Sequence, residues 1–91
     1  MNESTGTDAA PREGGWSEVD GCLRRRFEFE NFSQAFGFMT RVALLAEANG
    51  HHPDWSNAWN VVDISLTTHD AGSTVTDNDR QMAAAIDALV A

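Results

Sequence analysis

The sequence predicts an α+β fold, a two-layer sandwich in which helices cover one face of a four-stranded antiparallel sheet. Two observations carry this prediction. Apolar and polar residues alternate in two pairs of short runs, which is the period of a half-buried strand. A longer run with apolar residues at helical spacing follows each pair. The predicted order is therefore β-β-α-β-β-α, with one domain at 15–91 after a disordered polar tail at 1–14.

The first hairpin is expected within residues 15–30, where Asp20-Gly21 is a strong turn signal. The run Arg24-Arg25-Arg26 is interpreted as part of a solvated strand face, because carboxylates follow it directly. Three apolar side chains of the same strand share the opposite face and are expected in the core: Leu23, Phe27 and Phe29.

A long helix is predicted between Asn31, which can cap it together with Gln34, and the left-handed glycine of Asn49-Gly50. Its expected core stripe consists of Phe32, Ala35, Phe36, Met39, Ala43 and Ala46. A second apolar stripe exceeds what one small sheet needs and therefore predicts a subunit contact. Its members are Phe38, Val42 and Leu45.

The second hairpin is expected over residues 55–68, with a turn near Asn60. Thr76 and Asp79 form a capping box for the last helix. The predicted buried face of that helix consists of Met82, Ile86 and Leu89.

Composition excludes several classes of function. The net charge is −8 and all six basic residues are arginine, so direct binding to nucleic acid or to anionic membranes is not expected. No apolar run is long enough to span a bilayer, and no export signal is visible, which favours the cytoplasm. The single cysteine, Cys22, has no partner for an internal disulfide.

The three histidines, His51, His52 and His69, all lie at element boundaries, and imidazole is suited to proton transfer near neutral pH. Glu47 precedes His51 by four residues, which would place both on the same side of the helix end. Alternatives remain open. His51 and His52 could simply interact with the helix dipole, and Glu47, His51 and His69 could form a zinc site. Asp79 is explained by capping, and a role in a pocket wall remains open.

The segment Glu47-Ala48-Asn49-Gly50-His51-His52-Pro53-Asp54-Trp55 resembles the Glu-x-x-x-His-His-Pro-x-Trp signature of pterin-4a-carbinolamine dehydratases. Residues 36–44 reinforce the resemblance upstream. Downstream, residues 66–70 are similar to the family segment that carries the third histidine. The similarity extends from about residue 15 to the C-terminus.

This resemblance implies the sandwich fold described above and a lyase activity. The family dehydrates 4a-hydroxytetrahydropterin, the product of aromatic amino acid hydroxylases, to quinonoid dihydropterin without a metal or organic cofactor. Its members form homodimers or homotetramers, and some also act as dimerisation partners of a transcription factor. A degenerate homologue with another role, such as assisting a molybdopterin or folate pathway, is the remaining alternative.

Carried over by position, the resemblance implies His51 and His69 as the acid/base pair, with His52 orienting the pterin and Glu47 anchoring His51. The implied substrate-binding residues are Glu47, Trp55, Thr67, Thr68 and Asp70. The sequence departs from the family in two places. A polar tail replaces the usual first helix, and glycine stands at position 50 where Asp or Asn is frequent.

Overall fold

The computed structural model describes residues 15–91, and these form the predicted α+β sandwich. The predicted tail at 1–14 lies outside the described residues. The strands are β1 (Ser17–Val19), β2 (Cys22–Glu28), β3 (Asp54–Ala58) and β4 (Val61–Leu66), and the helices are α1 (Phe32–Asn49) and α2 (Asp77–Ala88). The four strands form one antiparallel sheet in the order β1-β2-β4-β3, which confirms the predicted fold class.

The first hairpin turns at the predicted dipeptide. Asp20 and Gly21 both have positive φ, 52° and 79°, the geometry of a tight two-residue turn. This turn packs closely against the loop that precedes α2, since a Cβ on Gly21 would lie 2.5 Å from the carbonyl oxygen of Ser73. Thr67 adds a second contact, since its hydroxyl donates a hydrogen bond to the Gly21 carbonyl at 2.8 Å. The first hairpin therefore supports the chain on both sides of His69.

The helix α1 begins and ends as predicted but buries a different face. Asn31 accepts the backbone N–H of Gln34 at 2.9 Å, and Gly50 closes the helix with φ 62°. The buried side chains are Ala35, Phe38, Val42 and Ala46, so Phe38 and Val42 belong to the core rather than to a surplus stripe.

The predicted core stripe is correspondingly wrong for Phe32 and Phe36, which are 47% and 54% exposed, and for Ala43, which is also exposed. The physical reason is aromatic packing against the sheet. The ring of Phe38 lies 4.8 Å from that of Phe27 and 4.9 Å from that of Phe29, contacts that fix the rotation of α1 on the sheet.

The arginine run is also divided between two environments. Arg24 and Arg26 are exposed as predicted, whereas the side chain of Arg25 is only 12% exposed and pairs with Asp87 at 2.8 Å. The indole of Trp16 donates to the same carboxylate at 2.9 Å. Arg25 thus fastens α2 to the sheet, because alternation along β2 turns it toward the helical layer.

The second hairpin and the last helix follow the sequence prediction. The turn between β3 and β4 lies at Trp59 and Asn60, and the Asn60 side chain donates to the Phe29 carbonyl at 2.7 Å. Thr76 and Asp79 form the capping box of α2. Met82 and Ile86 are buried in the core, while Leu89 lies just beyond the helix and is half-buried. Within residues 15–91 no helix is both long and apolar enough to cross a membrane.

Candidate active site

A cavity of about 290 Å³ opens where the end of α1, the end of β4 and the first turn of α2 meet. All three histidines line it. The complete lining consists of Gly50, His51, His52, Thr67, Thr68, His69, Asp70 and Asn78. The fold therefore brings together two segments, 50–52 and 67–70, which are separated in sequence by the β3–β4 hairpin.

The helix end positions the first two histidines differently. Gly50 adopts the left-handed conformation that ends α1, and nothing lies within 4 Å of the place where a Cβ would be. The chain then turns so that the side chain of His51 is 18% exposed while that of His52 is 64% exposed. Successive residues in extended chain point in opposite directions, which explains why only His51 faces inward.

Asp79 is the buried partner of His51. Its side chain is fully buried, and its Oδ1 lies 2.6 Å from Nε2 of His51. Its Oδ2 accepts the hydroxyl of Thr68 at 2.6 Å and the backbone N–H of Thr76 at 2.8 Å. One carboxylate therefore joins α2, the loop after α1 and the segment that carries His69.

These contacts determine the charge of Asp79. Burial acts to raise its pKa, but the hydrogen bonds from Thr68, from the Thr76 backbone and from His51 outweigh burial and lower the pKa below its ordinary value. An ionised carboxylate can only accept hydrogen bonds, so Nε2 of His51 must carry the proton that it donates. In the neutral imidazole, Nδ1 is then the free acceptor nitrogen.

Glu47 contacts His52 rather than the predicted partner His51. Its Oε1 lies 2.9 Å from Nε2 of His52, and both side chains are mostly exposed. Pairing of Glu47 with His51 would require the helix to continue through position 51, whereas α1 ends at Asn49 and Gly50 redirects the chain. An exposed pair of this kind adds little stability.

The other site residues inferred from the sequence are only partly brought together. Thr67, Thr68 and Asp70 line the cavity with the histidines, whereas Trp55 does not. Trp55 is half-buried on the edge strand β3 and packs against the core. Asn78 lines the cavity and was not anticipated, because nothing in the sequence distinguishes it from an ordinary first-turn helix residue.

The zinc alternative requires Glu47, His51 and His69 to converge on one ion. In the structure Glu47 pairs with His52, and His51 pairs with Asp79. Among residues 15–91, no group of three His, Cys, Asp or Glu side chains is close enough together to hold a metal ion.

Comparison with known proteins decides the family. The family model described as pterin 4 alpha carbinolamine dehydratase matches residues 1–89. This chain belongs to that family. A relative from Bradyrhizobium sp. (strain BTAi1), provisionally named a pterin-4-alpha-carbinolamine dehydratase, is 53% identical over 87 residues, which cover 93% of this chain and 87% of the relative. A relative of the same provisional name from Synechococcus sp. (strain WH7803) is 58% identical over 74 residues, 81% of this chain and 78% of its own length.

Two solved structures share the dehydratase fold. One is described as a transcriptional coactivator/pterin dehydratase from Brucella melitensis. It matches with a TM-score of 0.79 and 46% identity, over 85% of this chain and 83% of its own. The other is described as a pterin dehydratase-like protein that is a RuBisCO assembly factor in the alpha-carboxysome. It matches with a TM-score of 0.75 and 27% identity, over 89% of this chain and 95% of its own.

The pKa of Asp79 gives a prediction about stability. Replacing Asp79 with Asn should lower the free energy of unfolding by about 2 kcal/mol near neutral pH, because the amide replaces one of the two buried acceptor oxygens with an NH2 donor. Since folding lowers the Asp79 pKa below 3.8, the carboxylate stabilises the native state above that pH. That contribution is lost as the pH falls through the folded-state pKa.

Urea unfolding of the wild type and of Asp79→Asn over a pH series measures this effect. The difference in unfolding free energy should narrow below about pH 4. Asp77→Asn, which removes an exposed carboxylate from the same turn of α2, is the control and should show a much smaller difference near neutral pH. If the difference in unfolding free energy between the wild type and Asp79→Asn stayed constant down to acidic pH, Asp79 would not be ionised in the native state as assigned.

Proposed function

We propose that the protein is a dehydratase that converts 4a-hydroxytetrahydropterin to quinonoid dihydropterin and water by histidine acid/base catalysis. The observation that carries the proposal is that His51, His52 and His69 line one cavity in a member of the pterin carbinolamine dehydratase family. An aromatic amino acid hydroxylase in the same cytoplasm would supply the hydroxylated pterin, so the reaction would serve pterin recycling.

The reaction needs two proton transfers and no change of oxidation state. The C4a–O bond breaks, the N5–H proton leaves, and a C4a=N5 double bond forms. Hydroxide is a poor leaving group, so an acid must protonate the 4a-oxygen while a base accepts the N5 proton. Each positioned transfer is worth about 10²–10⁴-fold in rate, which suits a substrate that already dehydrates slowly in water. The proposed mechanism therefore uses no metal or organic cofactor.

The arrangement of hydrogen bonds supports a different role for each of the three histidines. His51, held by Asp79 through Nε2, would use its free Nδ1 as the base toward N5. His69 lies on the opposite chain segment of the cavity and would act as the acid toward the 4a-oxygen. His52, paired with Glu47 at the mouth, would orient the ring. Thr67, Thr68 and Asp70 would complete the wall on the His69 side.

Two substitutions test the activity. His51→Ala and His69→Ala should each lower the rate of quinonoid dihydropterin formation by at least about tenfold, since each removes one proton-transfer group. The formation of the quinonoid product is followed by its absorbance after rapid generation of the 4a-hydroxy substrate. Glu28→Ala, an exposed change on β2 outside the cavity lining, is the matched control. A wild-type rate equal to that in buffer would refute the proposal.

The exposed apolar face of α1 supports a second element of the proposal, a homo-oligomer. Phe32, Phe36 and Leu44 are 47%, 54% and 68% exposed along one helix, and the rings of Phe32 and Phe36 lie 5.7 Å apart. Exposed apolar groups concentrated on one helix mark an interaction surface. We propose that this face, rather than the buried Phe38 and Val42, forms the contact between copies in a homodimer or homotetramer.

The same face supports a second candidate function, binding of a different protein. The neighbour from Brucella is described as a transcriptional coactivator as well as a pterin dehydratase, and the other neighbour as an assembly factor. A protein partner would compete with self-association for Phe32, Phe36 and Leu44. Self-association is favoured here because it needs only the chain itself.

Sedimentation velocity tests the oligomer. Phe36→Glu should lower the sedimenting mass, because it places a charge within the apolar contact. Ala84→Glu adds the same charge at an exposed position of the other helix, α2, and should sediment like the wild type. A wild-type monomer, or a Phe36→Glu variant of unchanged mass, would contradict the proposed contact.

A further inference from the structure

The imidazole of His69 has no side-chain anchor of its own. His69 is exposed and begins a three-residue 3₁₀ helix, His69–Ala71, and among residues 15–91 its ring has no hydrogen-bond partner. The rings of His51 and His52, by contrast, are each held by a carboxylate. The position of the His69 ring in the cavity therefore depends on the backbone of the loop that carries it.

That backbone folds into a compact turn. The N–H of Ser73 donates to the carbonyl of Thr68 at 3.1 Å, and the N–H of Gly72 donates to the carbonyl of His69 at 3.0 Å. Thr68 also pairs with Thr74 as an isolated antiparallel bridge, in which the Thr68 N–H donates to the Thr74 carbonyl at 3.0 Å. A displacement of Ser73 would therefore be transmitted through these bonds to His69.

Ser73 adopts a conformation that needs support from outside its own loop. Its φ is 57°, in the left-handed region that residues with a side chain rarely adopt. Such a conformation persists only where the surrounding structure fixes it. The Ser73 N–H is bonded within the loop, whereas the Ser73 carbonyl lies against Gly21 of the first hairpin turn.

Gly21 is the point at which the two turns meet. A Cβ at position 21 would lie 2.5 Å from the carbonyl oxygen of Ser73, and a backbone atom cannot rotate away as a side chain can. On the other side of His69, the buried Thr67 donates its hydroxyl to the Gly21 carbonyl at 2.8 Å. The first hairpin turn thus contacts the loop both before and after the imidazole.

We propose that Gly21 is a positioning residue for His69, and that the first hairpin turn fixes the His69 loop so that the imidazole reaches the substrate. Gly21 lies outside the cavity lining and acts only through the loop backbone and Thr67. This inference rests on the dehydratase function proposed above, in which His69 is the acid toward the 4a-oxygen. It adds that the rate of proton transfer depends on a turn next to the edge strand β1.

A double-mutant cycle tests this coupling. Gly21→Ala should lower kcat at least about fivefold, because a small misplacement of the acid slows proton transfer. In the His69→Ala background the same change should lower kcat by less than about twofold, since the imidazole that it positions is already absent. Equal losses in the two backgrounds would overturn the proposal, because Gly21 would then act independently of His69.

Gly15→Ala is the matched control. Gly15 also has a positive φ, 41°, so alanine strains the backbone there too, but nothing lies within 4 Å of the place where a Cβ would be. This variant should keep a kcat close to that of the wild type. A loss as large as that of Gly21→Ala would contradict a specific contact with the His69 loop.

Thr67 provides a second arm that leaves the hairpin turn unchanged. Thr67→Val keeps the shape of the side chain but leaves the Gly21 carbonyl without its donor, and should lower kcat at least about threefold. Thr67→Ser retains the hydroxyl and should keep most of the rate. If Gly21→Ala does not fold, this pair decides the question, and equal rates in the two Thr67 variants would refute the proposal.

Imidazole ¹H–¹⁵N correlation spectra separate this inference from the proposed function, because they need no substrate. Gly21→Ala should shift the signals of His69 and leave those of His51, which Asp79 holds, close to their wild-type positions. Unchanged His69 signals would refute the positioning even in an active enzyme. A wild type without dehydratase activity would instead refute the proposed function, and with it any role of Gly21 in that reaction.

Discussion

The hydrogen-bonded carboxylate of Asp79 is the group on which the candidate site depends. A buried carboxylate is costly unless its oxygens are satisfied, and here Thr68, Thr76 and His51 satisfy them. Each donor belongs to a different segment: the strand end before His69, the start of α2, and the loop after α1. The same contacts that make burial of the charge tolerable therefore hold His51 and the segment before His69 in place. Stability and the geometry of the site have one common cause.

Much of the fold could be predicted because its local signals agree with one another. The turn at Asp20-Gly21 and the caps at Asn31 and Thr76 lie where the sequence indicated, since each depends on neighbouring residues only. The buried face of α1 was predicted wrongly, because apolar residues occur on most sides of that helix. Only the tertiary contacts of Phe38 with the sheet select one face, and periodicity does not contain that information.

The histidines that line the cavity could be predicted from the sequence, whereas their hydrogen-bond partners could not. The three histidines could be identified because they lie at element ends and within a family-like pattern. The bond between His51 and Asp79 joins residues 28 positions apart and depends on how α2 docks beside α1. Glu47 was paired with the wrong histidine, because the left-handed Gly50 reverses which imidazole faces inward. Sequence spacing predicts contacts within one helix or turn. The cavity is formed by tertiary packing between elements that are distant in sequence.

The central claim is that Asp79 fixes the tautomer of His51 and leaves Nδ1 as the base. Long-range ¹H–¹⁵N NMR correlation of the imidazole, recorded where the ring is neutral, reads this tautomer directly. We expect the His51 proton on Nε2 and an unprotonated Nδ1, and a loss of that preference in Asp79→Ala. A wild-type spectrum with the proton on Nδ1 would contradict the claim, because the ring could then neither donate to Asp79 nor accept a proton from the pterin.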